Sequence, residues 1–198
     1  ALAYLLAEQG QIDEAIKRFE AVESADELLP SEYRALAGWH KAAGRRDQHD
    51  RALIAAYKTV EEWRLSNWIS QKLQPWQQGG GVTPRELDRE VLLVFAALFE
   101  KSSQPQNHLH LLQRFYQATR DFRLLAGLAD AVVGHTAGQV YPFLQGMGAV
   151  LSEVRDEATA DSIVEHLAEV RKRAKTAVDH RAIDLLEALV ERRAAEVL

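Results

Sequence analysis

The stretch Leu2–Pro30, LAYLLAEQGQIDEAIKRFEAVESADELLP, decides the fold class of this chain. It holds two amphipathic segments on either side of Gly10. Leu2, Leu5 and Leu6 share one helical face of the first, and Ala15, Ile16, Phe19 and Val22 recur at three- and four-residue spacing in the second. Glycine enters the left-handed conformation that ends a helix without steric penalty, so Gly10 predicts the stop of the first helix. Asp13 and Glu14 favour the start of the second, where the helix dipole is positive. Pro30 closes it, because proline has no N–H to continue the ladder. Ala3 and Ala15 are the small side chains that let the two helices of a hairpin approach closely.

A displacement of 34 residues carries Leu2 onto Leu36, Ala3 onto Ala37, Gly10 onto Gly44, Phe19 onto Leu53 and Val22 onto Ala56. Leu6, Ile12 and Ala15 become His40, Arg46 and His49. A second displacement of 34 lands on Ser70, Gln71 and Gln78, so the register is not continued. With G-Q-I-D-E-A-I-x-x-F at Gly10–Phe19, this period resembles the tetratricopeptide repeat family, clear over 2–30 and degenerate over 31–60. The resemblance implies a right-handed superhelical solenoid of antiparallel helix pairs, with the first helix of each pair lining a concave partner-binding side. Carried over residue by residue, the inward positions are Tyr4, Glu8, Arg34, Gly38 and Lys41. A chaperone-binding subset of the family uses a basic, amide-rich clamp for a C-terminal carboxylate. The matching positions here offer Tyr4, Arg34 and Gly38 without an asparagine pair, so the resemblance does not extend to that activity.

The composition narrows the function classes. A chain of 198 residues is long enough for one extended domain or two small ones, and its formal charge of −5 argues against bulk electrostatic binding of nucleic acid. There is no cysteine, which excludes disulfides, thiolate metal sites and cysteine nucleophiles. No apolar run reaches the roughly 18–20 residues that span a bilayer. Leu2–Ala7 is too short, and lacks the basic flank, to be a signal peptide. The chain starts without methionine inside what reads as the first helix of a repeat, so it is expected to be a piece of a longer protein. A soluble protein is expected, the cytoplasm being favoured among compartments that the sequence does not distinguish.

Beyond the first hairpin, Ser31 and Glu32 open a helix running to about Ala43. The next helix is expected to start near Asp50 and to be unusually long, its stripe of Leu53, Ala56, Tyr57, Val60 and Trp63 extended by Trp68, Ile69 and Leu73. Gln77–Val82, QQGGGV, reads as a flexible loop; no GKT or GKS follows to make it a phosphate loop. Thr83–Glu86 is a capping box with proline at the first helical position, starting a helix to about Lys101 that is apolar on most sides. Ser103–Pro105 opens a helix with Leu109, Leu112, Phe115 and Tyr116. Asp121 caps one with Leu125 and Leu128, and Thr136 with Gln139 caps another with Phe143 and Leu144. Two long amphipathic helices follow, with Asp179 as the cap between them; DHRAIDLLEAL faintly resembles the second helix of a HEAT unit. The organisation read from this is 1–76 as repeats with a long exit helix, 77–83 as a glycine-rich loop, and 84–198 as a helical repeat or bundle region. No strand-like alternation occurs, and the fold class is all-α.

No reaction chemistry is apparent. There is no G-x-S-x-G, H-E-x-x-H or S-x-x-K. His108 and His110 fall on different faces of a helix. His166 with Glu169 is half of a carboxylate-bridged metal site whose other half is missing. The basic run Arg171–Lys172–Arg173 with Lys175 is interspersed with glutamates and has no aromatic platform for stacking bases. Trp39, Trp63, Trp68 and Trp76 are assigned to packing between helices, with one lining a groove as the functional alternative. The expectation is a non-catalytic protein-interaction scaffold, without cofactor or metal, whose partner is another protein or peptide bound at Tyr4, Glu8, Arg34, Gly38 and Lys41. The alternative is a regulatory segment of a larger enzyme with its catalytic domain elsewhere.

Overall fold

Gly10 and Gly44 adopt φ of +78° and +73°, and each ends a helix in the left-handed conformation. A computed structural model describes residues 2–24, 28–78, 88–121, 123–124, 148, 150–151, 154, 156–174 and 176–197. In it, α1 (Leu2–Glu8) and α2 (Ile12–Glu23) flank Gly10, while α3 (Pro30–Ala42) and α4 (Arg46–Lys58) flank Gly44. The two turns are hydrogen-bonded alike. Gly10 N–H donates to Ala7 C=O (3.0 Å) and Gln11 N–H to Leu6 C=O (2.9 Å); at the second turn Gly44 N–H donates to Lys41 C=O (3.1 Å) and Arg45 N–H to His40 C=O (2.8 Å). This pair of bonds is the Schellman closure, which satisfies carbonyls that the ended helix leaves open. Even the next bond recurs 34 residues on, Ala15 N–H to Gln11 C=O becoming His49 N–H to Arg45 C=O, both at 3.0 Å.

Nothing lies within 4 Å of where a Cβ at Gly44 would sit, so only the backbone conformation opposes a side chain there. Gly44→Ala is therefore expected to destabilise by about 1–2 kcal/mol, and Gly44→Asn by less. Urea denaturation of the two variants checks the order; equal stabilities would contradict it.

The chain divides into two compact units, residues 1–61 and 62–198. In the first, α1 packs on α2, α2 on α3 and α3 on α4. Ala3, Ile16, Phe19, Leu28, Tyr33, Leu36, Ala37, Ala52 and Ala56 form its core, with Trp39 and Leu53 packed against it. Tyr4, Phe19 and Trp39 meet edge to face, with ring centroids 4.9–5.5 Å apart. The face that α1 turns inward carries Ala3, whereas Leu2 and Leu5 are more than half exposed. A helix of seven residues presents one narrow face to its neighbour, and the small residue takes the close approach.

In the second unit, α5 (Glu62–Gln78) packs against α6 (Arg89–Lys101) and α7 (Leu109–Thr119), and α8 (Glu157–Arg173) pairs with α9 (Ala177–Val197). Among the described residues there are nine α-helices, one 3-10 turn (Pro105–His108) and no strand. None of these helices is long and apolar enough to cross a membrane. The expected long helix from Asp50 to Leu73 is instead two, α4 beginning at Arg46 and α5 at Glu62. Val60 N–H turns back to Tyr57 C=O (2.9 Å), and the Thr59 hydroxyl donates to Ala56 C=O (2.7 Å), ending α4 between them. The helix expected to exit the repeats thus belongs to the second compact unit, and the division falls before it and not at the glycines. Those glycines and the Thr83–Glu86 box lie outside the described residues; α6 as described starts at Arg89, with the Asp88 carboxylate accepting from Glu90 N–H (3.0 Å). The Thr136–Gln139 box also lies outside them. At α9 the cap is Thr176 and not Asp179. Thr176 Oγ1 accepts from Asp179 N–H and Asp179 Oδ2 from Thr176 N–H, both at 3.1 Å, a reciprocal box with Asp179 three residues inside.

Candidate functional site

Arg34, Gly38 and Lys41 recur along α3 at spacings of four and three, so they share one face, and all three are exposed. Around Gly38 the space is open. On α1, Glu8 is exposed and Tyr4 is 39% exposed, its ring held edge-on by Trp39 of α3 at 5.5 Å. All five residues read from the sequence are accessible; Trp39 is half-buried and stands roughly 100–160° around α3 from Arg34, Gly38 and Lys41.

A cleft of about 250 Å³ opens elsewhere in the same unit, and none of the five lines it. Glu20 and Glu23 come from α2, Leu36 and His40 from α3, and Gln48 with Arg51 from α4. His40 is 3% exposed. Its Nδ1 is buried and makes no hydrogen bond, and its Nε2 stands 3.8 Å from Glu20 Oε1, beyond hydrogen-bond distance. Burial holds the imidazole pKa below its ordinary value; Glu20 opposes this, and Arg45 and His49 add to it. A neutral ring follows at pH 7. The sequence carried one signal of this place: His40 stands where the first repeat has Leu6, a polar group at an apolar position.

In the second unit, His108 lies between Glu62 and Ser66, one turn apart on α5. Nε2 is 3.3 Å from Glu62 Oε2 and Nδ1 is 3.4 Å from Ser66 Oγ, while the Ser102 hydroxyl donates to Glu62 Oε2 (2.9 Å). The serine–histidine–glutamate order matches that of a hydrolytic triad, yet the same carboxylate oxygen also accepts from Ser102. That residue is the C-cap of α6, and His108 precedes α7, so the network ties three helix ends together.

The metal candidates do not assemble. No group of three histidine or carboxylate side chains placed to hold an ion occurs among the described residues, and Glu169 pairs with Lys172 at 2.6 Å. Of the basic run, Arg171 reaches across to Asp184 and Glu187 of α9, each at 2.7 Å, which commits its guanidinium to joining α8 and α9. Trp63 is 60% exposed beneath Arg64, and Trp68 is partly buried beneath Lys72. No family model, no curated protein and no solved structure matches this chain.

Proposed function

We propose that this chain is a non-catalytic protein-interaction scaffold. In this reading it is an α-solenoid that begins with two tetratricopeptide-like helix pairs and continues as irregular helical repeats. The observation that carries the reading is the recurrence of the same Schellman bonds 34 residues apart, at Gly10 and at Gly44. A period kept in backbone hydrogen bonds, and not only in residue types, is what stacked copies of one supersecondary unit produce. The partner is another protein or peptide, held at the face made by Tyr4, Glu8, Arg34, Gly38 and Lys41. Arg34 and Lys41 give that face its positive charge and suit an acidic segment, while open space over Gly38 admits a close backbone approach.

Exposed ion pairs contribute only about 0–1 kcal/mol each, so the test reverses both charges together. Arg34→Glu with Lys41→Glu is expected to keep the wild-type melting temperature and to lose at least tenfold in affinity for the partner recovered with the wild-type chain. A folded double variant that retains full affinity would remove this face from the reading.

A further inference from the structure

We infer that the cleft between α2, α3 and α4 is a binding site for a primary alkylammonium group. The site lies apart from the α1/α3 face and does not depend on it. Its acceptors are the Glu20 and Glu23 carboxylates, three residues apart and so on one side of α2, together with the His40 ring in the opposite wall. Among the described lining residues Arg51 is the single fixed cation. Two carboxylates against one guanidinium, with His40 neutral, leave the cleft negative.

The geometry of His40 selects the donor. A residue 97% enclosed whose ring makes no hydrogen bond is a standing penalty on the fold, because a buried polar atom without a partner keeps its desolvation cost. Since Nδ1 is unpartnered in either tautomer, the position of the ring proton is set by what Nε2 meets. Nε2 and Glu20 Oε1 are 3.8 Å apart, too far to bond each other but close enough for one donor group to serve both. An ammonium carries three N–H donors on one atom and no acceptor, which meets that requirement. Leu36 gives an apolar surface for the attached methylenes. A volume of about 250 Å³ is below that of pockets enclosing drug-sized ligands, so the occupant is a short chain: a small free amine, or the lysine side chain of a partner.

The probe is n-butylammonium chloride, titrated into the intact chain and followed by the imidazole ¹⁵N shifts of His40, assigned against His40→Gln. Binding is expected to be saturable and to move Nε2 to the shift of an unprotonated acceptor nitrogen. Glu20→Gln with Glu23→Gln, both exposed and therefore compatible with the fold, is expected to weaken binding at least about tenfold. Arg51→Gln is expected to preserve or tighten it, since a like charge is removed, and Arg34→Glu with Lys41→Glu to leave it unchanged. The peptide acetyl-Gly-Lys-Gly-amide separates the sources: affinity equal to n-butylammonium assigns a partner's lysine, and binding of the free amine alone assigns a small molecule. No saturable shift, an unaffected double glutamine variant, or loss of binding in Arg51→Gln would each overturn the assignment.

Discussion

Replacing Phe19 with alanine is expected to lower the unfolding free energy by about 3–5 kcal/mol. Phe19 is 5% exposed and sits at the centre of the first unit's aromatic cluster, its ring 5.5 Å from that of Tyr4 and 4.9 Å from that of Trp39. It is the one member of the cluster on α2, so truncation removes both edge-to-face contacts and leaves a hole where α1, α2 and α3 meet. Each such ring pair contributes about 0.5–1.5 kcal/mol beyond the area it buries. Single domains are stable by only about 5–15 kcal/mol, which places the variant near the limit of folding. Urea denaturation, with near-ultraviolet circular dichroism reporting the ordered rings, measures the effect. A loss under about 1 kcal/mol would mean that the cluster does not hold the three helices together.

Phe115→Ala is expected to have a comparable effect in the second unit, again about 3–5 kcal/mol. Phe115 is fully buried on α7 and meets the edge of Phe95 at 5.6 Å; Phe95 in turn stacks with Phe99 one turn along α6, at 6.1 Å. These rings meet between α6 and α7. Hydrogen exchange resolved by peptide is the appropriate measurement, because it locates the loss. Faster exchange in α6 and α7 is expected, and protection unchanged there would contradict the assignment of these rings to the core.

Many of the helices were readable in the sequence because their apolar stripes keep a period near 3.6, but their ends were less so: Pro30, read as the stop of the second helix, is instead the first residue of α3, α2 having ended at Glu23. Gly10 and Gly44 marked two ends through the conformation only glycine enters freely. One stripe read as continuous is not. Leu53 and Val60 share a face, but at about 100° per residue Ile69 and Leu73 fall on the opposite side of a continuous helix, so the phase slips across residues 59–61, where Thr59 turns its hydroxyl back to Ala56 C=O and ends a helix. Capping at α9 was read three residues off, since Thr176 and Asp179 are both good capping residues and only the backbone shows which stands outside. Leu2 and Leu5 illustrate a different limit: hydrophobicity marks a face, and the packing of a seven-residue helix then selects Ala3 from it. The proposed face of Tyr4, Glu8, Arg34, Gly38 and Lys41 was read from one repeat register, which a sequence carries along a single line. By contrast, the cleft draws its residues from three helices, and only the fold brings Glu20, His40 and Arg51 together.

Each helix of the first unit packs on the one that precedes it in sequence. The consequence is kinetic. Every contact layer closes through a connection of a few residues, so little chain entropy is lost before the contact forms, and topologies of this kind fold fast. Closing a short loop takes well under a microsecond, whereas a ribosome adds about 5–20 residues each second. The α1–α2 hairpin therefore has ample time to explore its own pairing before α3 exists. When Tyr33, Leu36 and Trp39 emerge, they meet a surface already carrying Phe19. The packing order of the first unit permits its assembly in the order in which it is made.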